Sequence, residues 1–134
     1  MAESVLAPID LAHLDHARKI LQVARKVGGA ESRITALYIT PEIPQYVAAE
    51  LPEGILAKTD STSRDTLEAL AAETGAEAVV RKGSVTAEIL ECAREFDADL
   101  IVIGSHRPGL TDYLLGSTAA RVVRHADCPV YVDR

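Results

Sequence analysis

Leu100-Ile101-Val102-Ile103-Gly104-Ser105 is an unbroken apolar run that halts on a glycine. It shows no polar alternation, which suits a central parallel strand covered by helices on both faces. Upstream, Val5-Leu6-Ala7-Pro8-Ile9 is a second such run, ending at Asp10. Ile34 to Ile39, Ala78 to Arg81 (ending at Lys82-Gly83) and Pro129 to Val132 complete a set of five predicted strands. Between them lie helical patterns. Leu14, Ala17, Leu21, Ala24 and Gly28 recur at three- and four-residue steps and close on Gly28-Gly29. A second helix is expected over roughly 59–75, with Leu67, Leu70, Ala71 and Thr74 on one face and Gly75 as its stop. The third opens at Ser84, an N-cap residue type, and aligns Val85, Ile89, Cys92, Ala93 and Phe96. The last runs from about Gly116 to His125.

Strands alternating with helices predict an α/β fold: a parallel, doubly wound, Rossmann-like sheet with right-handed crossovers. A ligand in such a sheet sits beyond the carboxyl ends of the strands, where the strand order reverses. The segments ending at Asp10, Ile39, Lys82 and Gly104 are therefore the candidates. Residues 41–58 hold Pro41, Pro44, Pro52 and Gly54 and cannot form one regular helix. Long excursions of that kind tend to be binding loops or lids.

At 134 residues, 48% of them hydrophobic, the chain is expected to form one domain, residues 1–134. It has no Trp and one Phe, so Ala, Val, Ile and Leu must build the core. The net charge of −6, with no basic cluster, argues against a nucleic-acid partner. The same charge repels a free polyphosphate, so a nucleotide would need local donors and a divalent cation. Cys92 and Cys128 lack metal-like spacing and read as reduced, mostly buried thiols. No apolar run reaches the length of a membrane span, and a cytoplasmic protein is expected.

The chemistry concentrates after the fourth strand, in Gly104-Ser105-His106-Arg107-Pro108-Gly109 and in Gly116-Ser117-Thr118. Gly104 would let backbone approach a ligand and tolerate positive φ. Gly116-Ser117-Thr118 opens a helix, whose free N–H groups and positive dipole end favour phosphate. A tight turn followed by an N-capped helix accounts for the same residues without any ligand. Other chemistries lack their residues. No glycine-rich stretch is followed by Gly-Lys-Ser or Gly-Lys-Thr, as a P-loop requires. Where a response regulator needs a second Asp, this chain has Lys82-Gly83. His13, His16, His106 and His125 form no metal set, and no nucleophile, base and orienter fall in segments that would meet.

The sequence resembles the universal stress protein family over nearly its whole length. The resemblance rests on Pro8-Ile9-Asp10, the Gly83-Ser84 turn, DADLIVIGSH from Asp97 to His106, and LLGSTAARVVRHADCPVYV from Leu114 to Val132. It implies strand order 3-2-1-4-5 and an ATP-binding (or ADP- or AMP-binding), non-enzymatic stress or signalling module. Asp10 would face the ribose or a phosphate-bound Mg2+, the backbone of Ile39 would read the adenine edge, and Ile103 would line the pocket. Pro8, Ile9, Ser105, His106, Arg107, Gly109, Gly116, Ser117 and Thr118 complete the implied binding set. ATP-binding members share Gly, two residues, Gly, nine residues, then Gly and Ser or Thr. Here Gly104 and Gly116-Ser117 fit, but Arg107 takes the second glycine's place, eight residues follow it, and Ala119 lacks a hydroxyl. The S-H-R-P wording resembles a branch of small one-domain members, in which Gly109 would be the flexible point.

The Arg107 guanidinium suits phosphate, yet its bulk could equally cover the pocket. The alternative function is a dimeric interaction module on the same fold that binds no nucleotide. An adenylate-handling enzyme lacks catalytic residues. The last strand carries no Lys and should leave an apolar edge that a second copy covers, giving a homodimer through residues 129–133.

Overall fold

The computed structural model describes residues 2–40, 42–105 and 116–134. Its order is β1 (Ser4–Pro8), α1 (Leu14–Gly28), β2 (Arg33–Thr40), α2 (Gln45–Ala48), α3 (Ile55–Ala72), β3 (Glu77–Lys82), α4 (Val85–Glu95), β4 (Leu100–Gly104), α5 (Ser117–His125) and β5 (Val130–Asp133). The five strands form one sheet in the order β3-β2-β1-β4-β5, and every neighbouring pair is parallel. The fold class and strand order expected from the sequence are thus the ones observed.

Side chains alternate across the sheet, as a strand's two-residue period requires. Val5, Ala7, Ile34, Ala36 and Val102 face α1 and α3, meeting Ala17, Ile20, Leu21, Leu67 and Leu70. Leu6, Leu37, Ile39, Ile101 and Ile103 face the other way, onto Ile89 and Cys92 of α4 and Val122 of α5. Both faces are buried, which is why β4 reads as a continuous apolar run. Asp99 anchors the start of this layer. One of its carboxylate oxygens accepts the N–H groups of Glu3 and Ser4, at 2.7 and 2.9 Å, and these bonds hold the carboxyl below its usual range.

Several boundaries differ from the sequence expectation. The helix expected from 59 begins at Ile55, directly after Gly54, whose φ of +81° turns the chain into it. The first half of α3 lies beyond the core, and its buried residues are Leu67, Leu70 and Ala71. There the hydroxyls of Thr59, Thr62 and Thr66 donate to carbonyls four residues back. Between β2 and α3 the only helix among the described residues is the single turn α2, which buries nothing. Leu14 was placed on the apolar face of α1, but it is 42% exposed and Ile20 takes the buried position. Ser84 is the N-cap of α4 without a side-chain capping bond. Cys92 is buried and Cys128 half-buried, and neither forms a disulfide. Burial pushes the Cys92 thiol up to about 11.

Candidate functional site

A cleft of about 870 Å³ opens at the carboxyl ends of β1, β2 and β4, a size ordinary for small-molecule sites. It lies where the sheet order reverses between β1 and β4. Of the four strand ends singled out in the sequence, three contribute. The fourth, Lys82, does not line it, because β3 sits at the outer edge of the sheet.

The lining of the cleft is of two kinds. Leu37, Ile39, Val85, Ile89 and Ile103 give it apolar surface. Gly104 and Ser105 meet Gly116, Ser117 and Thr118 at the start of α5. The first intrahelical bond of α5 runs from the Ala120 N–H to the Gly116 carbonyl. The amides of Ser117, Thr118 and Ala119 therefore have no partner within the helix and carry its positive end. The Gly116 N–H is spent, donating to the Ser105 carbonyl at 3.2 Å, and this bond sets the two segments side by side. No Lys or Arg lines the cleft among the described residues. An anion there would be met by backbone N–H groups and hydroxyls.

Pro8, Ile9 and Asp10 bring β1 to the rim. Asp10 is exposed and its Oδ1 accepts the Ala12 N–H at 2.9 Å, a turn that swings the chain into α1. One carboxylate beside a phosphate is how Mg2+ is commonly held, with waters completing its shell. Among the described residues no group of three or more His, Cys, Asp or Glu could hold a metal alone. A cation here would thus depend on the ligand's own oxygens, and the Asp10 carboxylate fits that role.

The expected residues Pro8, Ile9, Asp10, Ile39, Ile103, Gly104, Ser105, Gly116, Ser117 and Thr118 all line this one cleft. His106, Arg107 and Gly109 lie outside the described residues. The freedom in φ expected at Gly104 is not used, since the residue does not occupy the left-handed region. A Cβ there would come within 2.7 Å of His16 Cε1 and 3.4 Å of Ile20 Cδ1, so close packing against α1 is what requires glycine. Gly116 sits at φ −61°, ψ 156°, a conformation any residue adopts.

His13, His16 and Val85 also line the cleft, although the sequence did not mark them for it. His13 is the N-cap of α1 and His16 stands in its first turn, which follows the turn at Asp10. Val85 was assigned to the core face of α4, yet it is 40% exposed at the first turn, where α4 meets the cleft.

Fold and cleft together define a doubly wound α/β domain with a switch-point site that offers both amide donors and apolar surface. The chain belongs to the universal stress protein family, which it matches across residues 1–134. Universal stress protein G of Shigella flexneri is 53% identical over 55 residues, a stretch covering 41% of this chain and 39% of that protein. This chain thus matches about two fifths of that relative's length. A universal stress protein of Methanocaldococcus jannaschii is 30% identical over 124 residues, covering 89% of this chain and 73% of its own. Among solved structures, a universal stress protein of Lactobacillus plantarum superposes with a TM-score of 0.64 at 25% identity, covering 98% and 97% of the two chains. One from Archaeoglobus fulgidus, in complex with dAMP, gives 0.63 at 20% identity over 98% and 97%. Another universal stress protein, in complex with cAMP, gives 0.68 at 16% identity over 99% and 97%. The last two likenesses establish the fold.

Proposed function

We propose that this chain is an adenine-nucleotide-binding stress or signalling module. ATP is its principal ligand, ADP or AMP occupy the same cleft, and Mg2+ is shared between Asp10 and the phosphates. The observation that carries this is the pairing of Gly104-Ser105 with the open start of α5 in a cleft that also has apolar lining. Phosphates would take the amides of Ser117, Thr118 and Ala119 and the two hydroxyls. The base would lie against Val85, Ile89 and Ile103, with the backbone of Ile39 at its edge. That two members of this fold were solved with dAMP and with cAMP supports an adenine ligand. His106, Arg107 and Gly109 belong to the proposed binding set by sequence.

The module is non-enzymatic, with at most slow incidental hydrolysis. It works as a single domain in the cytoplasm. No helix among the described residues is long and apolar enough to cross a membrane. A second copy pairs along residues 129–133, at the open edge of the sheet.

Calorimetric titration with ATP and Mg2+ tests the site. Gly116→Val should leave the fold intact by circular dichroism, because φ at Gly116 suits any residue. Its branched side chain at the helix start would hold phosphate away from the amides. Affinity should fall at least about tenfold, or 1.4 kcal/mol. Unchanged affinity in that variant would remove the start of α5 from the site.

A further inference from the structure

The Ser105–Gly116 side of the cleft is tied to the neighbouring edge strand of the sheet by a short relay. The Ser105 N–H donates to the Asp133 carbonyl at 2.8 Å, and the Ser105 carbonyl accepts the Gly116 N–H at 3.2 Å. Asp133 is the last residue of β5 and pairs with Gly104 of β4. Whatever fixes Asp133 therefore fixes the register of Ser105, and through Ser105 the entry to α5.

The end of an edge strand frays unless it is tied down. Here the tie comes from α1. The Lys19 ammonium lies 3.3 Å from Asp133 Oδ2 and also donates to the Arg134 carbonyl at 3.3 Å. The Asp133 side chain is only 12% exposed, and its Oδ2 is buried without a well-aligned hydrogen bond among the described residues. A buried carboxylate needs a compensating cation, and Lys19 supplies it. Lys19 itself is half exposed, at 52%, so its position is not dictated by core packing. Neither residue lines the cleft, so both act through others.

We propose that Lys19 and Asp133 are positioning residues for the Ser105–Gly116 side of the cleft. The ion pair pins the end of β5, and the relay Asp133–Ser105–Gly116 holds the donor array at the start of α5. Lys19 also cancels a negative charge one residue from where a phosphate would sit, which makes the site's affinity depend on it. This second consequence rests on the nucleotide assignment above; the first does not.

The test uses the full chain and substitutions that preserve packing. Lys19→Met keeps most of the aliphatic stem and removes the ammonium; Lys19→Arg restores a cation. Hydrogen exchange of the Ser105 and Gly116 amides, followed by NMR without ligand, reads the relay directly. ATP–Mg2+ titration reads its consequence. Lys19→Met should speed exchange at both amides by about tenfold or more and weaken ATP by about tenfold, the scale at which groups supporting direct ligands act. Lys19→Arg should restore both. Adding Asp133→Asn to Lys19→Met should recover part of the affinity, because no uncompensated charge then remains. Unchanged protection at Ser105 and Gly116 in Lys19→Met would overturn the proposal. So would loss of affinity that Lys19→Arg fails to restore. If the unmodified chain binds no ATP, the nucleotide assignment fails, while the exchange arm still decides whether the pair positions these amides.

Discussion

Gly104 shows how a single residue can be right in the sequence for a reason the sequence does not display. Its place after an apolar strand suggested room for a ligand and freedom in φ. The structure shows instead a backbone pressed against the His16 imidazole. Gly104→Ala should cost about 1 kcal/mol, the low end for overpacking, because a side chain rather than backbone must yield. The double variant Gly104→Ala, His16→Ala should recover that cost, since the added methyl then has space. Urea unfolding of both singles and the double is the measurement. Strictly additive costs would show that His16 is not what excludes a side chain. Contacts of this kind join residues 88 positions apart and leave no local pattern. The same holds for Lys19 and Asp133, which look like ordinary surface charges until α1 is laid over the end of β5. The place of Asp10 beside the cleft, by contrast, was legible, because it follows the carboxyl end of a strand at the switch point.

At the level of elements, strands were read well and the excursion after β2 poorly. A strand buried on both faces must be apolar throughout, so β1, β2 and β4 announce themselves. The start of α3 has little burial to shape its pattern, and its exposed first turns carry Thr and Ser where apolar periodicity would otherwise mark them. The sequence therefore placed the start of this helix about four residues late. The last strand repays closer attention. Pro129 and Asp133 give their carbonyls to Ile101 and Ser105 of β4. By the alternation of a strand, Val130 and Val132 turn theirs to the open edge. Such an edge invites pairing with another chain. Val130→Pro removes an outward N–H while sparing the bonds to β4, the one setting where proline is tolerated in a strand. Sedimentation velocity at micromolar concentration should show the unmodified chain as a dimer and Val130→Pro as a folded monomer. A monomeric unmodified chain would refute pairing through residues 129–133.

Considered whole, the molecule is a sheet that places its chemistry by topology. Strand order 3-2-1-4-5 separates β1 from β4 at their carboxyl ends, and the cleft follows from that separation. An acidic chain of net charge −6 gains nothing from long-range attraction to a polyphosphate. What it offers is local: the amides that open α5, two hydroxyls and the Asp10 carboxylate. Composition therefore argued against a nucleic-acid partner without pointing to a nucleotide, and the site had to be read from Gly104 and Gly116-Ser117-Thr118. The central claim, that the cleft holds an adenine nucleotide, is tested most directly by native mass spectrometry of the chain purified gently without added ligand. The spectrum should show a retained mass of ATP, ADP or AMP per chain. A bare chain that also takes up none of the three when they are supplied with Mg2+ would contradict it and favour a nucleotide-free interaction module on the same fold.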